Sequence, residues 1–124
     1  MAAVRLTRRY DANPAEVWDA LTRPESVARW LAPASKLELE PGGTIELRFN
    51  PMRVDCRVRA LESGRVLELD WHERGKEPSV VRFELVPDGE GTRLVLEHAQ
   101  IPAVVGSAYA AGWTRHLDRF EEQL

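Results

Sequence analysis

Residues 107–124 read SAYAAGWTRHLDRFEEQL, with Tyr109, Trp113, Leu117, Phe120 and Leu124 at intervals of four, four, three and four. On a helix of about 3.6 residues per turn these fall on one stripe, with His116 at its edge and Arg115, Asp118 and Glu122 facing away. The spacing predicts a helix from about Ser107, which suits the N-cap, with Gly106 just before it. Gly112 inside the helix costs about 1 kcal/mol relative to Ala, and its lack of a side chain predicts a close approach to a neighbouring surface. A helix with so aromatic a stripe must bury it against a large apolar partner.

The rest of the chain supplies that partner. Val4, Leu6 and Tyr10 alternate with Arg5, Thr7 and Arg9, a strand pattern. Asn13-Pro14-Ala-Glu16 then reads as N-cap, first helical residue and capping-box partner, opening a helix with Val17, Trp18 and Leu21 on one face. A second short helix starts at Pro24, carries Val27, Trp30 and Leu31, and ends at Ala32-Pro33. Six further strands follow: around Leu37 and Leu39, then Ile45–Phe49, Val54–Ala60, Leu67–Trp71, Val81–Leu85 and Leu94–His98. Pro41-Gly42-Gly43, Ser63-Gly64 and Asp88-Gly89-Glu90-Gly91 mark turns between them. Each strand is apolar on one face and charged on the other, as in an antiparallel sheet wetted on one side. Val80, Val86 and Val95 interrupt the charged face and allow a dimer patch there. The order predicts an α+β domain spanning 1–124, a curved antiparallel sheet of six to seven strands gripping the last helix.

Composition narrows the function. Of 124 residues, 17 are Lys or Arg and 20 are Asp or Glu, a net charge of -3 that argues against a phosphate-backbone binder. No apolar run approaches the ~20 residues of a membrane span. The N-terminus shows no signal-peptide core, and a single cysteine forms no intrachain disulfide, so a cytoplasmic setting is the default.

Several stretches together resemble a known family. They are the first-helix segment Ala12–Glu25 with Val27-Ala-Arg-Trp30, the Gly42-Gly43 turn, Leu67-Glu-Leu69-Asp-Trp71 and the closing Gly112-Trp113-Thr-Arg-His-Leu117-Asp-Arg-Phe120. Their order and spacing resemble the helix-grip fold of the START-like (SRPBCC) superfamily. Within it they are similar to the branch named for the activator of the heat-shock-90 chaperone ATPase. The resemblance covers nearly the whole chain. It implies an internal cavity between sheet and last helix, and the branch name implies a protein partner as the alternative. Some START-like relatives act on aromatic or polyketide-like substrates, which keeps an enzyme as a third reading.

Eight residues are candidates to line such a cavity: Phe49, Cys56, Trp71, Phe83, His98, Tyr109, Trp113 and His116. The rings either line a cavity, with Tyr OH and Trp NH as its polar handles, or fill the core. His98 shares the inward parity of Leu94 and Leu96, and is either a ligand contact or general base, or a strand-end histidine satisfied by backbone or solvent. His116 is placed to face it across the cavity. Cys56 is a nucleophile if a histidine activates it, and otherwise a small hydrophobe. The His72-Glu73 pair is expected to add nothing to the inner face. Arg8, on the parity of Leu6 and Tyr10, needs a carboxylate from the chain or from a ligand, unless a bulge or snorkelling frees it. No metal-site spacing, phosphate loop or nucleophile motif is present. The expectation is a small binding module for a largely apolar molecule, monomeric or homodimeric, with neither cofactor nor metal.

Overall fold

The computed structural model describes residues 1–124. Seven strands form one antiparallel sheet: β1 (Ala2–Tyr10), β2 (Ala34–Leu37), β3 (Thr44–Arg48), β4 (Arg53–Glu62), β5 (Val66–Glu73), β6 (Ser79–Asp88) and β7 (Gly91–Ile101). Their order is β1-β7-β6-β5-β4-β3-β2, so β1 and β2 are the edges. Helices α1 (Pro14–Thr22) and α2 (Pro24–Trp30) connect the two edge strands, and α3 (Gly106–Glu121) closes the chain. This is the helix-grip architecture expected. None of the helices is long and apolar enough to cross a membrane.

Alternation decides the faces. Val54, Cys56 and Val58 of β4, Val81, Phe83 and Leu85 of β6, and Leu94, Leu96 and His98 of β7 are buried on the inner face. Arg59, Glu68, Asp70, Arg82 and Glu84 form an ion-pair ladder across β4, β5 and β6 on the outer face, with separations of 3.0–3.3 Å. Such partly exposed pairs contribute little each and mainly favour the register.

Local signals hold at α1. The Glu16 amide donates to Asn13 Oδ1 at 2.9 Å, and Asn13 Nδ2 returns a bond to Glu16 Oε1 at 3.0 Å. β2 lies earlier than the Leu37–Leu39 pattern suggests, because Ala34 pairs with Leu47 and Leu37 with Ile45 around a bulge. The turn after it needs glycine. A Cβ on Gly43 would stand 2.2 Å from the Glu38 carbonyl oxygen, well inside contact distance.

Two expectations for α3 are corrected. The helix begins at Gly106, not Ser107, and Val105 takes the N-cap position with no side-chain bond. The reason is the 3₁₀ turn Ala103–Val105, which runs straight into the helix and already bonds the Gly106 amide to the Ala103 carbonyl. Gly112 does not mediate close contact with the sheet, since a Cβ there would meet open space.

The inner face and α3 meet through rings. Phe120 lies 5.1 Å from Trp30 and 5.4 Å from Tyr10 between centroids, and Trp113 lies 5.4 Å from Trp71 and 6.0 Å from Phe83. These tilted and edge-on geometries are the favoured ones for aromatic pairs. Arg8 finds its carboxylate within the chain, bonding Asp118 at 3.0 Å and tying β1 to α3.

Candidate functional site

Most of the space between sheet and α3 is filled by these rings. The void beside Phe83, walled by Leu21, Val27, Trp30 and Leu67, is about 30 Å³, room for one water at most. A larger opening, about 110 Å³, lies between β5, the loop after β3 and the stretch of α3 from Ala108 to His116. Phe49, Met52, Trp71, Tyr109, Trp113 and His116 line it, with Glu73 as its carboxylate and Gly112 facing into it. The missing side chain at Gly112 therefore makes space in the cleft.

Glu73 corrects the reading of His72-Glu73. Side chains two apart on a strand share a face. Glu73 accordingly follows Trp71 inward and is 6% exposed, while only His72 turns to solvent. Tyr109 donates its hydroxyl to Glu73 Oε2. Lys76 Nζ stands 3.7 Å from the same oxygen and 5.8 Å from the Tyr109 ring centroid. Burial, then the bond to Glu73 and its charge, holds the Tyr109 phenol above its ordinary pKa, so it stays protonated and acts as a donor.

His98 sits one layer behind the cleft and is wholly buried. Its ring lies 4.6 Å from Tyr109 and 5.9 Å from Trp71 between centroids. Trp113 Nε1 is 3.0 Å from Nδ1, and Ser79 Oγ is 2.7 Å from Nε2. An indole N–H only donates, so Nδ1 accepts and the proton resides on Nε2, which donates to Ser79. Ser79 in turn donates to the Trp71 carbonyl at 3.3 Å. The polarity of this chain runs away from nucleophilic chemistry, because an imidazole donating to a serine cannot take its proton. Burial pushes the His98 pKa down to about 4, consistent with a neutral ring.

His116 does not face His98. Both flank Trp113, at 5.6 and 6.1 Å between centroids, and His116 also edges Phe49 at 5.8 Å. Arg119 Nη2 lies 2.6 Å from its Nδ1 and donates to it. Burial first, then the Arg119 charge, pushes the His116 pKa down to about 4. Cys56 lies outside the cleft, in register with Trp71 on the neighbouring strand. Burial pushes its thiol up to about 12, so it packs as a small hydrophobe and is no thiolate at neutral pH.

Five of the eight candidate residues thus share one cleft: Phe49, Trp71, Tyr109, Trp113 and His116. His98 supports it from behind, and Cys56 and Phe83 belong to the core. Glu73 and Met52 were missed. Parity with Trp71 is the signal that would have found Glu73; Met52 lies in a loop, where no periodicity operates. Trp71 Nε1 is buried without an acceptor. No group of three or more His, Cys, Asp or Glu is placed to hold a metal.

Comparison with known structures agrees with this fold. CalU16 from Micromonospora echinospora is similar over 98% of this chain and 74% of its own, at 32% identity and a TM-score of 0.88. DynU16, a protein of the dynemicin biosynthetic locus, is similar over 97% of this chain and 46% of its own, at 25% identity and a TM-score of 0.89. MLL2253 from Mesorhizobium loti is similar over 98% of this chain and 96% of its own, at 25% identity and a TM-score of 0.89. Among curated proteins, none matches. Residues 11–124 match the family described as Activator of Hsp90 ATPase homolog 1-like protein, and the chain belongs to that family.

Proposed function

We propose that this protein is a binding module that holds a small, largely apolar molecule in the cleft between β5 and α3. The observation that carries this reading is the cleft itself: an opening of about 110 Å³ walled by five aromatic or imidazole rings, with one carboxylate among them. A cavity of about 150 Å³ holds benzene, so this smaller, open cleft takes up part of one ring or a branched alkyl group, with the rest of the ligand outside. Pockets of this kind draw affinity from apolar burial and orientation from a few polar groups. Here those groups are Tyr109 and Glu73. The kinship with CalU16 and DynU16 is compatible with a small-molecule role, since DynU16 belongs to a biosynthetic locus.

The test is a titration with single-ring probes, read from the indole N–H signals in proton–nitrogen NMR spectra. Trp71 and Trp113 line the cleft, whereas Trp18 and Trp30 do not and serve as internal controls. A fragment of this size reaches about 4–5.5 kcal/mol, a Kd of about 0.1–1 mM. Saturable shifts confined to Trp71 and Trp113 are expected. No shift at several millimolar probe, or equal shifts at all four indoles, would exclude the reading.

The family description favours a second reading, a module that docks on an Hsp90-type chaperone. Of the large apolar side chains only Met1, Met52, Val104 and Leu124 are exposed, and Met52 lies on the rim of the cleft. Stoichiometric binding of purified chaperone, abolished in Met52→Asp, would favour docking over small-molecule binding.

A further inference from the structure

Glu73 is the carboxylate on the wall of an otherwise aromatic cleft, and it is 6% exposed. A carboxylate in such surroundings requires strong compensation. What the chain supplies is incomplete. Tyr109 gives a neutral hydrogen bond, and Lys76 gives an ion pair at 3.7 Å from a side chain that is 58% exposed. Both fall on Oε2, so Oε1 remains for a further donor. Lys76 Nζ also lies within the ~6 Å reach of a cation–π contact with Tyr109. A tethered ammonium therefore already stands against both groups, and a mostly exposed one is weakly held.

We infer that the cleft selects an organic cation, an ammonium on a small apolar body whose charge replaces that of Lys76 beside Glu73 and Tyr109. This deepens the proposed function and rests on the cleft being the ligand site. The body of such a ligand contacts Trp71, Trp113 and Phe49, rings whose faces attract a neighbouring positive charge. Lys76 does not line the cleft itself; it lines a groove of about 320 Å³ on the other side of Tyr109, with Ser79 and Gln100, into which its ammonium can withdraw. No arginine lines the cleft, and the one that reaches its edge, Arg119, is bonded to His116 Nδ1 at 2.6 Å. Arg48, Arg53 and Arg74 line a separate concavity that meets the cleft at Met52, and Arg53 is already paired with Glu46 and Asp55. His116, whose pKa is pushed down to about 4, adds no positive charge at neutral pH.

Three matched probes test this at pH 7.5: benzylammonium, benzyl alcohol and benzoate, each titrated into the full chain by the indole NMR measurement. Benzylammonium is expected to bind about tenfold more tightly than benzyl alcohol, and benzoate least well. In Glu73→Gln, which keeps an acceptor for Tyr109, the cation-over-alcohol ratio falls towards one. In Lys76→Met, an exposed change that removes the competing ammonium, the ratio rises about threefold. Equal affinities for cation and alcohol, or a ratio indifferent to Glu73→Gln, overturn the inference and leave the binding module standing. Benzoate binding most tightly also overturns it, and transfers charge selection to the arginines. Failure of all three probes to bind overturns both readings.

Discussion

Lowering the pH tests the layer behind the cleft. His98 is wholly buried, accepts from Trp113 through Nδ1 and donates to Ser79 through Nε2. Protonation puts a hydrogen on Nδ1, aimed at an indole N–H 3.0 Å away, and leaves an imidazolium in an apolar shell. In the unfolded chain a histidine titrates near 6.5. In the folded chain His98 is pushed down to about 4 by burial. Between these values the unfolded state binds a proton that the folded state refuses. The stabilisation is thus complete above about pH 6.5, falls as the pH drops towards 4, and changes no further below it. The interval from 6.5 to about 4 corresponds to about 3 kcal/mol, of which about 2.5 kcal/mol is lost between pH 7 and 4.5. For a domain stable by about 5–15 kcal/mol that is a large share.

The assay is urea unfolding at half-unit steps from pH 7.5 to 4.5, on the wild type and on His98→Gln. Glutamine offers both an acceptor and a donor but no titrating group. His116 shifts in the same direction but is half-buried, and it contributes equally to both proteins, so the difference isolates His98. The wild type should lose about 2–3 kcal/mol more than the variant over this range. Parallel curves, agreeing within about 0.5 kcal/mol, would refute the argument. So would an NMR titration placing the His98 midpoint in the folded protein near 6.5.

Other perturbations follow from single contacts. Gly112→Ala places a methyl in open space within a helix, so stability should rise by about 0.5–1 kcal/mol in urea unfolding. The same methyl enters the cleft, so affinity for a single-ring probe should fall in that variant. Gly43→Ala should destabilise by more than 2 kcal/mol, since its Cβ would overlap the Glu38 carbonyl oxygen and the backbone must move. Cys56, buried and with its thiol pushed up to about 12, should resist a thiol-specific colour reagent at pH 8 until denaturant is added.

Catalysis by Ser79 or Cys56 would need changes that the interior resists. Reversing the Ser79–His98 bond requires moving the His98 proton to Nδ1, which breaks the bond from Trp113. Activating Cys56 requires a base, and its neighbour across the strand pair is the Trp71 ring. The polar groups on the cleft wall, Tyr109 and Glu73, with Lys76 paired to Glu73 from beside it, are instead arranged to hold and orient.

Local chemistry alone determined most of the frame. Strict two-residue alternation from Val54 to Ala60 and from Val81 to Leu85 set strand faces, because a one-residue slip would expose the whole apolar set. Asn13-Pro14-Ala-Glu16 opened α1 through contacts within four residues. The Tyr109–Trp113–Leu117–Phe120 stripe required a buried helix face, hence the grip. Parity also held Glu73 inward, although its charge spoke against burial; only the fold supplied the Tyr109 hydroxyl and Lys76 ammonium that make this tolerable. The start of α3 escaped local reading because a preceding 3₁₀ turn, not a side-chain cap, satisfies its first amide. Which aromatics fill the core and which wall a cleft was decided by tertiary structure alone. Phe83 and Phe49 have the same inward parity, but Phe83 lies mid-sheet against Trp30 and Trp113, whereas Phe49 lies just past β3, beside Trp71 and His116, where the cleft opens. Periodicity reports the face on which a side chain lies; how far along that face the packing extends depends on elements distant in sequence.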